Sequence, residues 1–236
     1  MLELKNVSVS YGSIHALRGI DMVAQAGRIT AVLGANGAGK SSLLRAIAGI
    51  APISDGDLIY RSASLKQYPA HRRARMGISF AMEGRRLFRH MAVEENLLLA
   101  WSFGPRRTPF AQAVAMVYDA FPILGERRAA KAGMLSGGQQ QMLILSSVTI
   151  REPDLMLLDE PSLGLAPIIV SQIFDFITGY AKARETAVVL AEQMAVMALR
   201  VADYGYVLRG GQVVMHGASS DLVKADIVSK LSAAYL

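Results

Sequence analysis

Cysteine is absent from the 236 residues of this chain, so no disulfide framework can hold its fold together. Long apolar runs are absent too: the longest, such as Ile29–Leu33 and Leu155–Leu158, have the length of a strand, whereas a membrane-spanning helix needs about 18 residues. The first residues follow a strand pattern and not that of a secretory signal. We therefore expect neither a leader nor a membrane span. Since 52% of the residues are hydrophobic, the chain can bury the core of an α/β domain.

Positive charge is concentrated in one part of the chain. Between Arg61 and Lys131 there are 13 lysines and arginines but only 5 acidic residues, although the net charge of the whole chain is only +6. Two interpretations stay open: an ordinary solvated face, or a surface for an acidic partner such as phospholipid headgroups or nucleic acid. Because neither zinc-ligand spacing nor an RNA-binding aromatic motif occurs, we expect no nucleic-acid partner. This basic belt includes Arg72, Arg73, Arg75, Arg85, Arg86, Arg106, Arg107, Arg127 and Arg128.

Hydrophobic periodicity indicates an α/β core interrupted by a helical insertion. The continuous apolar runs Leu155–Leu158 and Thr186–Ala191 are typical of parallel strands covered on both faces. A turn is predicted at Ser54–Asp57 and a hairpin around Gly210 and Gly211. Further strands are predicted at Leu2–Ser10, Gly27–Leu33 and Met76–Phe80, and helices at Lys40–Ile50, Gln140–Val148, Val170–Ala183, Gln193–Val201 and from Ser220 onwards. We predict one domain over residues 1–236, with a core of about 1–85 and 150–236 and a helical subdomain of about 86–149.

A phosphate-binding loop of the form GxxxxGK[ST] stands at Gly34–Ser41. Its glycines let backbone N–H groups turn toward an anion, and the helix that begins near Lys40 adds its positive end. Lys40 is expected to reach the β- and γ-phosphates, and the Ser41 hydroxyl to ligate Mg²⁺. A glycine-rich turn with a solvated lysine is the alternative, but the position between a buried strand and a helix disfavours it. The predicted nucleotide-binding residues here are Gly34, Ala35, Asn36, Gly37, Ala38, Gly39, Lys40, Ser41 and Ser42.

The apolar strand at Leu155–Leu158 ends in two carboxylates, Asp159 and Glu160. Asp159 is expected to hold Mg²⁺, and Glu160 to polarise the attacking water as general base. Alone, this segment would be read as a solvated turn, but beside a phosphate loop the catalytic interpretation is favoured. No Asn-Lys-x-Asp segment for reading guanine occurs, so a GTPase is disfavoured.

A second anion-binding segment, Leu135, Ser136, Gly137, Gly138 and Gln139, precedes a helical run. Ser136, the glycine amides and the helix N-terminus could bind a phosphate. Because one chain has no obvious second phosphate to offer, we expect a head-to-tail dimer in which each segment closes over the ATP of the partner. The alternative is a simple Ser-Gly helix cap. The order of Ser136 before Asp159 along the chain favours the composite ATP site.

With these motifs the chain resembles the ATP-binding subunits of ABC transporters over nearly its whole length. The resemblance implies a P-loop NTPase core, namely a RecA-like parallel sheet plus an N-terminal antiparallel β part, with an inserted helical subdomain. It also implies ATP hydrolysis to ADP and phosphate with Lys40 and Glu160 as catalytic residues, and it assigns Tyr11 to stacking on adenine.

Three positions depart from the general pattern of that family. Glu83 stands where glutamine is usual, Ala166 where aspartate is usual, and Gln193 where a switch histidine is usual. Glu83 can accept from water or ligate Mg²⁺, and Gln193 can donate to the γ-phosphate but cannot become cationic near pH 7. By the resemblance, Glu83 and Gln193 are therefore counted as catalytic, and Ser41, Asp159 and Glu83 as metal ligands.

The same departures are similar to those of one subfamily, the LivF-type ATPases of branched-chain amino acid importers. The resemblance implies ATP and Mg²⁺ as cofactors, and a peripheral position on the cytoplasmic face of the bacterial inner membrane. The implied partners are a second ABC ATPase subunit, two transmembrane permease subunits and, indirectly, a periplasmic or extracellular solute-binding protein. A heterodimer is expected, with a homodimer as the alternative. The basic belt would then face lipid headgroups or the permease.

Other functions stay open at lower rank. Urea or short-amide importers share Ser162–Pro167, although they more often keep glutamine at the position of Glu83. A non-transport ABC ATPase acting on DNA or the ribosome is disfavoured, because the chain has no long coiled coil, zinc insertion or second ATPase domain. A small-molecule kinase would leave Leu135–Gln139 unexplained.

Overall fold

The computed structural model describes residues 1–84, 86–104 and 107–224. Its strands are, in chain order, β1 (Leu2–Tyr11), β2 (Ile14–Ala24), β3 (Ile29–Leu33), β4 (Asp55–Tyr60), β5 (Ala63–Ser64), β6 (Ile78–Ala81), β7 (Leu155–Asp159), β8 (Ala187–Glu192), β9 (Tyr204–Arg209) and β10 (Gln212–Ala218). Its α-helices are α1 (Lys40–Ala48), α2 (Ala70–Arg75), α3 (Val93–Ser102), α4 (Phe110–Ala120), α5 (Pro122–Glu126), α6 (Gly137–Thr149), α7 (Pro167–Arg184), α8 (Ala195–Val201) and α9 (Ser219–Lys224). A short 3₁₀ turn covers Ala132–Met134.

The central sheet has six strands in the order β10-β9-β3-β8-β7-β6. All neighbouring pairs are parallel except β9 and β10, which form an antiparallel hairpin. Strands β3, β7 and β8 are fully buried, which explains their continuous apolar sequences. In this register Leu33 lies beside Glu192, and Asp159 lies beside Ala191. The phosphate loop and the acidic end of β7 therefore emerge at the same edge of the sheet.

A second, antiparallel sheet has the order β2-β1-β4-β5. Apolar side chains of α1, including Leu43, Leu44 and Ile47, belong to the same buried cluster as residues of β1 and of the central sheet. Helix α1 thus fills the space between the two sheets. On the other face of the central sheet, α6, α7 and α8 bury a second cluster around Leu158 and Leu190. The predicted α/β class with an antiparallel part is confirmed.

Helices α3 to α6 follow β6 and precede β7, and they form a third buried cluster around Leu97, Leu124 and Leu143. The helical subdomain predicted for residues 86–149 falls on this stretch, and its limits stay a prediction. Within the described ranges, no helix combines the length and apolar character required to cross a bilayer.

The turn predicted at Ser54–Asp57 is wrong from Asp55 onwards, because β4 begins there and pairs with β1. Hydrogen bonding to β1 therefore outweighs the local preference of these residues for a turn. Gly56 makes it feasible: its φ is 82°, and a Cβ there would overlap the carbonyl oxygen of Asn6. The helix predicted from Ser220 coincides with α9 as far as Lys224, and the remainder lies outside the described residues.

The basic belt is divided among different surroundings. Arg73 is buried against backbone carbonyl groups, and Arg107 pairs with Asp154 beyond the C-terminus of α3. Arg89 and Arg128 lie near the other end of α3, in segments joined to Gly133 and Glu94 by backbone hydrogen bonds. The 10 residues of α3 separate these places by about 15 Å. Arg85 and Arg106 lie outside the described residues.

Candidate functional site

The phosphate loop leads from the buried strand β3 into α1. Gly39 precedes the helix with a φ of 109°, and a Cβ there would stand 2.8 Å from the carbonyl oxygen of Ala16. Only glycine fits this position without strain. Any other residue would be strained in this left-handed backbone conformation, and its Cβ would press against the backbone of β2. No side chain of the described residues caps the first turn of α1, so its amide groups are available to an anion.

The side chain of Lys40 is 4% exposed and lies inside the loop. Its Nζ donates to the carbonyl oxygens of Gly34 at 2.8 Å and Ala35 at 3.1 Å. It also forms an ion pair with Oε1 of Glu160 at 3.0 Å. Lys40 and Glu160, two of the four residues predicted to be catalytic, are therefore direct partners of each other in this structure.

Ser41 and Asp159 form a second link between α1 and β7. The Ser41 hydroxyl donates to Oδ1 of Asp159 at 3.0 Å. The other carboxylate oxygen, Oδ2, is buried and has no hydrogen-bond partner among the described residues. Burial raises the pKa of Asp159, the Ser41 hydrogen bond opposes that shift, and the charges of Glu83 and Glu160 add to it.

This arrangement fits the predicted magnesium site. A hydroxyl and a carboxylate are oxygen donors of the kind that Mg²⁺ prefers, and the buried oxygen without a partner leaves an acceptor for the ion or its water. A cation would also offset the charge of Asp159, which burial disfavours. Glu83, the third predicted ligand, is exposed and lines the same cavity as Ser41.

Glu160 adopts a left-handed conformation, with a φ of 47°, that is uncommon for a residue with a side chain. Its amide donates to the carbonyl oxygen of Ala191 at 2.9 Å, at the end of β8. Two residues further on, the amide of Ser162 donates to Oε1 of Glu192 at 3.1 Å. Glu192 is 2% exposed, and burial raises its pKa.

A cavity of about 500 Å³ lies over the phosphate loop. It unites nine of the residues predicted from the sequence: Ala35, Asn36, Gly37, Gly39, Lys40, Ser41, Ser42, Glu83 and Glu160. Its other lining residues were not predicted: Ile14, His15, Ala16, Arg18, Leu163, Gly210 and Gly211. Most of these belong to β2 or the β9–β10 turn, and they approach the loop only in the folded chain, as the hydrogen bond from the Arg18 amide to the Gly211 carbonyl shows. The hydrophobic pattern of the sequence does not predict that these residues line the cavity.

Several predicted residues lie elsewhere. Gly34 and Ala38 belong to the loop but are not among the described residues that line the cavity. Tyr11 is 41% exposed at the end of β1, opposite Ile14, which does line it. Gln193 is exposed and lines a separate cavity of about 160 Å³ that it shares with Glu160 and Leu163. Glu160 is therefore common to both spaces.

The segment Leu135–Gln139 caps α6. The Ser136 hydroxyl accepts from the amide of Gln139 at 3.3 Å, and the side chain of Gln139 accepts from the amide of Ser136 at 3.0 Å. Gly138 packs tightly, because a Cβ there would stand 3.1 Å from Ile169. Leu135 is buried, whereas Ser136 is exposed, and among the described residues none of this segment lines the phosphate-loop cavity. Its exposed end is free to meet a ligand from outside.

The model of one protein family, described as ABC transporter, matches residues 17–163. The high-affinity branched-chain amino acid transport ATP-binding protein BraG of Pseudomonas aeruginosa is 41% identical over 223 residues, which cover 94% of this chain and 95% of that protein. The probable branched-chain amino acid transport ATP-binding protein LivF of Archaeoglobus fulgidus is 32% identical over 231 residues, 98% of each.

Among solved structures, the chain is similar to a dimeric ATP-binding cassette in a post-hydrolysis state bound to ADP and phosphate. The TM-score is 0.84 at 21% identity, and the match covers 93% of this chain and 99% of that one. At this identity the likeness concerns the fold, which is that of an ATP-binding cassette, as predicted.

Proposed function

Because the chain belongs to the ABC transporter family, we propose that it is the ATP-binding and ATP-hydrolysing subunit of an importer for branched-chain amino acids. The observation that carries the ATPase assignment is the pairing of Lys40 with Glu160 in the mouth of the phosphate loop. The two most similar relatives described above carry branched-chain amino acid transport in their names, which supports the solute class.

When nucleotide binds, Lys40 would exchange its ion-pair partner Glu160 for the phosphates. The β- and γ-phosphates of ATP would meet the free amides of the loop and of α1, and the ammonium of Lys40 would turn from Glu160 to them. Glu160 would thereby lose its ion-pair partner and be left to face the attacking water. The ion pair with Lys40 thus occupies Glu160 until phosphate arrives.

Hydrolysis requires a base that faces the attacking water. Glu160 lines the cavity beside Ser41 and Glu83, and its left-handed backbone directs the side chain there from the end of β7. We assign it to accept the proton of that water. Ser41, Asp159 and Glu83 would hold Mg²⁺, which supplies neutralisation of the charge that develops on the phosphates. Gln193, reached through the adjoining cavity, is assigned to donate to the γ-phosphate.

The second half of each ATP site would come from another subunit. The exposed end of α6 and Ser136 present amides and a hydroxyl away from the cavity of their own chain. A head-to-tail arrangement would place them against the ATP of the partner. We propose a heterodimer with a second ABC ATPase, because Glu83, Ala166 and Gln193 make this chain's own site unlike the usual one. The other proposed partners are two transmembrane permeases and, indirectly, a solute-binding protein. We place the chain as a peripheral subunit on the cytoplasmic face of the membrane.

Uptake by cells tests this function. We expect a strain that lacks the gene to lose uptake of radiolabelled leucine, isoleucine and valine, and the wild-type gene to restore it. Glu160→Gln should fail to restore it, because the amide cannot act as the base. Glu185→Gln is the matched control: it makes the same chemical change at an exposed, left-handed residue at the end of α7, and it should restore uptake.

Two outcomes would contradict the proposal. Restored uptake with Glu160→Gln would remove Glu160 from the chemistry. Loss of urea or amide uptake in the deletion strain, with leucine uptake intact, would instead assign the chain to the related urea and short-amide importers.

A further inference from the structure

The turn that carries Glu160 is tied to the end of β8 at two consecutive places. One tie joins backbone to backbone, from the amide of Glu160 to the carbonyl of Ala191 at 2.9 Å. The other uses a side chain: Oε1 of Glu192 accepts from the amide of Ser162 at 3.1 Å. The second tie can therefore be removed by a substitution, whereas the first cannot.

Glu192 occupies a position where a carboxylate is costly. It is 2% exposed at the end of a fully buried strand, and the like charge of Glu160 lies close enough to disfavour a second carboxylate. An apolar residue would suit a strand of Ala-Val-Val-Leu-Ala better. The Glu192 side chain interacts with the hydroxyl of Ser162 and the amide of Gln193. Without it the buried amide of Ser162 would also lose its acceptor.

That amide belongs to a strained part of the chain. Glu160 has a φ of 47°, a conformation that persists only where surrounding contacts impose it. The hydrogen bond to Ser162 fixes the backbone two residues beyond Glu160, on the far side of Pro161. The same loop contributes Leu163 to the phosphate-loop cavity and to the smaller cavity that contains Gln193. A tether at Ser162 thus acts on the direction of the Glu160 side chain.

We propose that Glu192 is a positioning residue for ATP hydrolysis: its side-chain oxygen holds the turn at Ser162, so that Glu160 is directed at the attacking water. This inference rests on the ATPase function proposed above and adds a residue to it. Glu192 is not among the described residues that line the phosphate-loop cavity, and its assigned role is to act through Glu160. It also joins the loop after β7 to the segment that begins with Gln193, since the two residues are adjacent in the chain.

The experiment uses the assembled transporter and three variants of this subunit. Glu192→Leu removes the acceptor and should lower kcat for ATP hydrolysis by about tenfold or more, the effect of a misdirected base. The Kd for ATP should stay within about threefold, because the phosphate loop is untouched. Glu192→Gln keeps an oxygen acceptor for the amide of Ser162, and the buried Ser162 hydroxyl beside it can accept from the new amide. It should keep kcat within about threefold of wild type.

Thr186→Val is the control for loss of stability alone. Thr186 is fully buried immediately before β8, and its hydroxyl donates to the carbonyl of Pro153 at 2.9 Å. The substitution removes a buried hydrogen bond at the other end of the strand from Glu192. Its melting temperature should fall while kcat is retained.

The outcomes separate the two proposals. A tenfold loss of kcat in Glu192→Leu, with recovery in Glu192→Gln and retention in Thr186→Val, supports the positioning role. If the wild-type assembly hydrolyses ATP and Glu192→Leu leaves kcat unchanged, the positioning role is overturned but the ATPase function stands. Equal losses of kcat in Glu192→Leu and Glu192→Gln would overturn the positioning role in the same way. Absence of ATP hydrolysis by the wild-type assembly would overturn the proposed function, and this inference with it.

Discussion

Replacing Arg73 by methionine is expected to destabilise the protein severely, although the sequence places this residue in the basic belt, interpreted as a solvated face or as a surface for an acidic partner. Arg73 is 4% exposed, and its guanidinium donates to four backbone carbonyl oxygens at 2.7–2.9 Å. No carboxylate among the described residues pairs with it, and burial lowers its pKa. The four acceptors belong to the last turn of α1 and to the segment before α2: Ala46, Ile47, Leu65 and Tyr68.

The size of the loss follows from two opposing contributions. A hydrogen bond to a charged group contributes about 1.5–3 kcal/mol, so four of them are large in gross terms. Burial of the guanidinium costs several kcal/mol and offsets part of this gain. Methionine removes the charge and one donor from each of the four carbonyls, of which only Ala46 and Leu65 keep a backbone donor, the amides of Gly49 and Tyr68, among the hydrogen bonds of the described residues. We expect a net loss of about 3–5 kcal/mol, a large share of the roughly 5–15 kcal/mol by which a domain is stable.

Urea unfolding of the purified chain at neutral pH measures this loss. Arg72→Met is the matched control, because it removes the same charge from the neighbouring, exposed position of α2. It should change the free energy of unfolding by less than about 0.5 kcal/mol. Equal effects of the two substitutions would refute the role assigned to the buried guanidinium, since net charge alone would then account for both.

Two further predictions concern the site. Burial raises the pKa of Asp159, so its charged form weakens the fold of the purified chain as pH rises above the ordinary value of 3.8. In thermal melts at pH 7 without nucleotide, Asp159→Asn should therefore raise the melting temperature while weakening Mg²⁺-dependent ATP binding, and a lower melting temperature would contradict this. Ser136→Asp keeps the cap of α6 but sets a negative charge against the partner's phosphates. It should abolish hydrolysis by the assembly and leave ATP binding by the isolated chain unchanged, and full activity would exclude the composite site.

Prediction from the sequence succeeded where the determining forces are local. Continuous apolar residues predict the buried strands β7 and β8, and the spacing of the glycines predicts the phosphate loop. Each of these features depends on a few consecutive residues. The same holds for the helix cap at Ser136, the alternative interpretation of that segment, which is present in the structure. It is compatible with a second role at a subunit interface.

What could not be predicted depends on contacts between distant segments. Strand β2 and the start of β4 contain glycine and charged residues in no clear alternation, so only pairing with β1 identifies them as strands. Arg18 reaches the cavity for the same reason. The sequence assigns the switch position to Gln193 and no role to its neighbour Glu192, whose burial and bond to Ser162 appear only when β7 and β8 lie side by side.

The reciprocal bonds between Ser136 and Gln139 also bear on how fast two subunits can meet. A segment that has to fold at the moment of contact loses conformational entropy there, and the encounter is slower and weaker for it. Here the backbone at the start of α6 is already fixed by its own side chains, and the helix behind it is largely buried. The contact surface exists in the single chain before any partner arrives. Association would therefore be limited by orientation and not by ordering of this segment.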